Sequence, residues 1–155
     1  LNSTRRTMSG YGNSADSVIA EQIAGITEEV NSAVSDYMTA TELTEHAAAD
    51  ASLSSGTSYV SLKASVTLQP GTYIIIGVAR FGSGSGRRGL VLNIGGENLA
   101  SSGVIAPGTS NGATRLQTVS VVRLDAETAV ALYGFQNSGS SIDVDNKVIR
   151  SFKLA

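Results

Sequence analysis

Apolar residues step along the first third of the chain by alternating fours and threes: Ile19, Ile23, Ile26, Val30, Ala33, Tyr37, Ala40, Thr44 and Ala47. This is an a/d heptad stripe, the mark of a helix that buries one narrow seam against copies of itself. Asn13 or Ser14 offers a capping oxygen and Asp16 a first-turn carboxylate, so the spacing predicts a stalk helix over 14–52. Its length would be on the order of 55 Å at 1.5 Å per residue. Isoleucine at both a and d positions disfavours a parallel dimer and points to trimers or tetramers. Val34 and Met38 offer a second seam and hence a register shift. An amphipathic helix packed on its own β domain is the alternative. His46 falls at an outward c position of this helix and reads as a solvated residue.

After Gly56 the period changes to two. Tyr59–Leu68 alternates and ends at Gln69-Pro70-Gly71, where proline pre-sets φ and glycine supplies a turn. Thr72–Phe81 is a long β-branched and aromatic run, and further strands are predicted at Gly89–Ile94, Gly103–Ala106, Thr114–Leu124, Ala129–Gln136, Ser141–Val144 and Lys147–Leu154. Many strands in roughly 100 residues, with turns every 8 to 12, predict a β-sandwich or jelly roll over 57–155. The fold class expected is therefore mainly β, a jelly-roll head behind an α-helical, trimeric coiled-coil stalk. Residues 1–13, rich in Ser, Thr, Gly and Asn, read as a flexible entry.

Composition sharpens this division. Only 15% of the 155 residues are charged and 17 are glycine, so Ser, Thr, Asn and Gly must solubilise the surface. Up to position 50, eight acids face two arginines; beyond it, nine cations face five acids. A trimer would therefore carry a basic head, suited to an anionic cell-surface polymer or to docking near the acidic stalk. A start at Leu1 rather than Met, with no leader pattern, gives the expectation of a C-terminal piece of a longer chain. No apolar run approaches the roughly 20 residues that span a bilayer, so membrane insertion is not expected.

Three stretches carry a family resemblance: Ala64–Phe81 with its Leu-x-Pro-Gly-x-Tyr entry, Val121–Gln136, and the terminal strand from Val148. Together they resemble the short jelly-roll heads of phage and prophage tail fibres, which are similar to the complement-component and tumour-necrosis-factor-like fold. The resemblance implies a homotrimer, a virion or extracellular location, and a surface that binds a receptor, with bacterial polysaccharide the expected partner. A purely structural trimerisation cap, or a polysaccharide hydrolase, are the other readings.

The missing chemistry supports a binding role. No cysteine is present, which removes thiolate metal sites and thiol nucleophiles, and a single histidine removes two-His metal centres. A serine triad would need His46 beside a head serine, which a stalk position forbids. Gly82-Ser-Gly-Ser-Gly-Arg-Arg-Gly89 lacks the Gly-Lys-Ser/Thr and following helix of a phosphate loop and reads as a flexible hairpin tip. Asp143 and Asp145, on one strand face with Asn146 beside them, read as a solvated edge, with an axial ion left open. Three Phe and five Tyr at strand positions make no nucleic-acid platform. The expectation is a non-enzyme without cofactor or metal. If strands alternate in direction from Tyr59, then Glu97, Asn98, Asn146 and Lys147 lie in loops at the end far from the stalk and are the candidate receptor contacts, with an intersubunit groove as the equal alternative. The same parity sends Arg87 and Arg88 to the stalk end.

Overall fold

A computed structural model describes residues 9–40 and 43–154, with side-chain surroundings described for 16–32 and 45–154. The chain divides into two compact units, 1–40 and 41–155.

The first unit is one helix, α1 (Ser9–Ala40). It begins earlier than the cap signal at Asn13 suggests: of the expected entry 1–13, residues 9–13 are helical and 1–8 lie outside the described residues. Extending an existing helix adds one hydrogen bond per residue, which offsets the roughly 1 kcal/mol cost of Gly10 or Gly12. Ile19, Ile23, Ile26 and Val30 are each more than half exposed in the single chain, as is Val18. Ala33 and Tyr37 continue the same step along the helix, but their side-chain surroundings lie outside the described residues.

The helix does not reach 52. Residues 43–53 instead form two strands, β1 (Leu43–Ala48) and β2 (Ala51–Leu53), laid end to end along one edge of a sheet. The heptad step through Thr44 and Ala47 is coincidental there, because a six-residue antiparallel ladder with the last strand overrides helical preference. His46 accordingly stands opposite Ile149 on β1, partly buried, rather than outward on a helix.

Eight further strands follow: β3 (Val60–Leu68), β4 (Gly71–Phe81), β5 (Arg87–Ile94), β6 (Glu97–Asn98), β7 (Val104–Pro107), β8 (Thr114–Leu124), β9 (Thr128–Gln136) and β10 (Ile142–Lys153). They make two antiparallel sheets. The first runs β1-β10-β4-β8 with β2 also on β10; the second runs β3-β9-β5-β6 with β7 also on β5. Inward rows from both sheets meet in the core, where Ile75, Phe81, Leu90, Leu92, Val130, Leu132 and Ile149 are fully buried. At Gly77 the sheets approach so closely that a Cβ would stand 2.4 Å from Leu132. Any side chain there would overpack the core.

Two expected strands, 141–144 and 147–154, are one strand. β10 passes through 145–147 with a bulge, its register against β4 shifting between Asp145 and Val148. The extra residue is accommodated by Asn146 at φ 48°.

Loop placement is also inverted relative to the parity expectation. Leu43 pairs with Phe152, beside the end of β10 that meets the start of β4. The chain thus enters the β unit at the end holding the turns 69–70 and 125–127. The unforeseen β1 adds one strand to the count, so loops 82–86, 108–113 and 137–141 lie at the opposite end, with Arg87 and Arg88 among them.

Candidate functional site

Three features of the β unit have functional bearing: the outer face of the first sheet, the loop end opposite the chain entry, and the bulged edge of β10.

The outer face of the first sheet has an apolar centre. On β8 the outward residues are Arg115, Gln117, Val119, Val121 and Arg123, with Val119 53% and Val121 65% exposed. Register places Val121 beside Ile74 and Ile74 beside Phe152, while Val119 stands beside Ile76 and Ile76 beside Arg150. The strands therefore carry apolar rows across three neighbours, interrupted on β10 by Arg150, whose Nε donates to Glu45 at 2.6 Å. A solvated sheet face would normally alternate apolar-in and polar-out. Here valine and isoleucine occupy the central outward positions, as on a surface that meets another surface.

At the loop end opposite the entry, Arg88 is fully buried without a carboxylate partner among the described residues. Its Nη1 donates to the carbonyls of Ser85 at 2.8 Å and Arg87 at 3.3 Å, and its Nη2 to those of Gly84 at 2.8 Å and Gly82 at 3.3 Å. Burial pulls its pKa below the ordinary arginine value. The segment expected to be a flexible hairpin tip is thus wrapped around a guanidinium. Gly86, at φ 77°, completes the wrap where the Asn137 carbonyl leaves no room for a Cβ.

The bulge of β10 contradicts one proposed contact. Lys147 is fully buried, and its Nζ crosses to the other sheet to donate to the Leu62 carbonyl at 3.0 Å. It cannot meet a receptor. The reason is the bulge itself, which turns Lys147 inward in phase with Ile149 and Ser151. Asn146 remains exposed on the bulge, while Glu97 and Asn98 are exposed on the short edge strand β6 of the other sheet. Asn98 accepts a hydrogen bond from Asn93 at 2.8 Å. Glu97 and Asn98 sit at the end of the second sheet near the chain entry, because they pair with the last residues of β5, and the structure does not bring them together with Asn146. Asp145 is engaged by Arg80 at 2.5 Å, and Ser52 donates to Asp143 at 3.4 Å.

Burial pushes the Lys147 pKa down, and the charges of Asp50 and Asp145 partly restore it. With the folded pKa below the unfolded one, the unfolded chain binds more protons between the two values, so stability rises with pH across that interval. The cost of the buried ammonium is full below the folded pKa and is relieved as pH climbs to the ordinary lysine value of 10.5. Urea unfolding of this chain and of Lys147→Met, from neutral pH to about pH 10.5, should show the parent gaining stability relative to the variant as pH rises. A difference that stays constant with pH would count against this account.

No family model matches this chain, and no curated protein matches it either. Solved structures do. The Eiger TNF from S. frugiperda is similar over 74% of this chain and 93% of that one, with a TM-score of 0.54 and 10% identity. Murine APRIL at pH 5.0 is similar over 74% of this chain and 99% of that one, with a TM-score of 0.52 and 13% identity; the pH 8.5 structure gives 0.51 at 13% identity, over 72% and 98%. The fold is a TNF-like jelly roll. Its two five-stranded antiparallel sheets, with β10 and β4 central in one and β9 and β5 in the other, are the arrangement reached above from register alone. No helix among the described residues is long and apolar enough to cross a membrane.

The outer face of this TNF-like jelly roll was missed in the sequence, although the signal was present. Val119 and Val121 are out of phase with Leu116, Thr118 and Leu124, so alternation alone places them outward. Arg88 was equally legible: it shares the phase of Leu90, Leu92 and Ile94.

Proposed function

We propose that this chain is a homotrimeric, non-enzymatic fibre-tip module of a phage or prophage tail, which attaches to a bacterial cell surface through a polysaccharide receptor. The observation that carries it is the apolar outer sheet face around Ile74, Val119, Val121 and Phe152, which calls for a matching surface. Closed assemblies of identical chains satisfy such a need with one repeated contact. The exposed stripe Ile19, Ile23, Ile26 and Val30 supports the same number of copies, since isoleucine at both a and d favours three or four strands. The tail-fibre assignment rests on the residue-level resemblance of the strands, and the TNF-like architecture is compatible with it.

Light scattering on the intact chain tests the assembly. The expected mass is three times the chain's 15.9 kDa; a stable monomer would overturn the proposal. Adsorption to bacterial cells tests the role. A trimer that binds no cell surface would instead be a structural cap that sets fibre register.

A further inference from the structure

Between the β2–β3 connection and the first residues of β3 lies an open cleft of about 530 Å³, within the range of small-ligand sites. Its walls mix polar and apolar side chains. Ser54, Thr57, Ser58 and Ser61 line it with hydroxyls, Lys63 supplies one ammonium, and Phe135 supplies apolar surface. The Tyr59 and Phe135 rings pack in a T-shaped pair, with centroids 5.1 Å apart and planes at 83°.

The cleft is held in shape before any ligand arrives. Gln136, fully buried, donates from Nε2 to the carbonyls of Leu53 at 2.8 Å and Ser140 at 2.7 Å. The Gly56 amide donates to the Gln136 carbonyl at 2.7 Å, and the Gly139 amide to Ser55 Oγ at 2.9 Å. These bonds tie the 53–56 segment to the 136–140 loop, which lowers the ordering cost of binding.

Backbone strain is concentrated at the same place. Among the described residues, Lys63 (φ 63°) and Asn146 (φ 48°) are the only non-glycine residues at positive φ. Lys63 sits in the β3 bulge, where register against β9 shifts between Ser61 and Ala64. Asn146 precedes Lys147, whose Nζ holds the Leu62 carbonyl within that bulge. A left-handed lysine costs energy and persists only where neighbours fix it, and such positions gather at binding sites. Here the bulge sets Lys63 on the wall of the cleft, exposed and with no ion-pair partner among the described residues.

We infer that this cleft binds a carboxylate-bearing saccharide, the Lys63 ammonium meeting the carboxylate and the serine and threonine hydroxyls meeting the sugar hydroxyls. Three apolar side chains, Leu53, Val60 and Phe135, share the lining with six hydroxyl-bearing residues and Lys63, a mixture that suits the apolar faces and the hydroxyls of a sugar. The cleft lies at the end of the sandwich opposite Leu43, because Leu53 pairs with Ile142 and Val60 with Gly134. The inference rests on the receptor-binding reading above and names the chemistry of its ligand.

The probe is an oligosaccharide of glucuronic acid, titrated into the intact protein while amide resonances are followed, with the carboxyl-reduced oligosaccharide as control. Shifts should be confined to the 52–63 segment and Phe135, and the neutral sugar should bind about tenfold more weakly, as loss of one charge-assisted hydrogen bond implies. Lys63→Asn, which keeps a residue tolerant of positive φ, should lose the preference for the acid, whereas Lys63→Arg should retain it. Absence of shifts in the cleft, or an unchanged preference in Lys63→Asn, overturns the inference. Cell adsorption measured in parallel separates the two readings: adsorption that persists undiminished in Lys63→Asn removes the cleft and leaves the receptor module standing. Acid-selective titration by a trimer that adsorbs to no cells supports the cleft and removes the attachment role.

Discussion

Alanine in place of Arg88 is expected to destabilise the β unit by about 3–5 kcal/mol, one of the largest effects of any single substitution outside the apolar core. The substitution deletes a fully buried side chain and leaves three carbonyls, of Gly82, Gly84 and Ser85, without their donor, while the Arg87 carbonyl keeps the Asn137 amide. Each orphaned acceptor costs about 1–3 kcal/mol when water cannot reach it, and the vacated volume adds a cavity term. Relaxation of the exposed Ser83 and Ser85 toward solvent recovers part of the sum. The conservative variant Arg88→Lys keeps the charge but replaces a planar fork with a single point of donation, so it should restore only a minor share. Urea unfolding followed by circular dichroism is the measurement. A loss under about 1 kcal/mol for Arg88→Ala, no more than one ordinary hydrogen bond, would mean that the loop finds other donors.

The double substitution Val119→Asp with Val121→Asp is expected to raise the apparent dissociation constant of the proposed trimer at least roughly 100-fold while leaving the sheet intact. Both side chains point away from the core, so folding loses little. At a self-contact, however, each chain forfeits two buried valines and brings two carboxylates against a surface that must desolvate them. Val60→Asp and Ile105→Asp, at 45% and 54% exposure on the second sheet, are the controls and should leave the assembly unchanged. Concentration-dependent light scattering distinguishes the outcomes. A trimer as tight in the double variant as in the parent would place the contact elsewhere.

What the sequence made legible follows from where the deciding forces act. Thr114–Leu124 and Thr72–Phe81 were readable because alternation and turn residues are written locally, and both reappear as strands with nearly unchanged bounds. Leu43-Thr-Glu-His-Ala-Ala was not, because its composition suits a helix and only the open edge of β10, over a hundred residues away, makes it a strand. That one strand then reversed the end of the sandwich to which every later loop was assigned. Asp145-Asn146-Lys147 looked like a turn by polarity, yet a bulge carries it through the strand and turns Lys147 inward. Of the four residues proposed as receptor contacts, three are exposed and one is a strut between sheets. The cleft escaped notice because its residues, mostly serines in 52–61, carry no periodicity, and their meaning appears only when the 136–140 loop closes beside them.

The pairing of β1 with β10 also bears on mechanics. Tension entering the β unit at Leu43 runs along β1, and the hydrogen bonds that hold β1 to β10 lie across that direction. The six residue pairs from Leu43–Phe152 to Ala48–Lys147 are then loaded together in shear instead of opening one at a time. A module that stays attached while the chain is pulled from its entry point gains a clamp from the strand that the helical pattern had concealed.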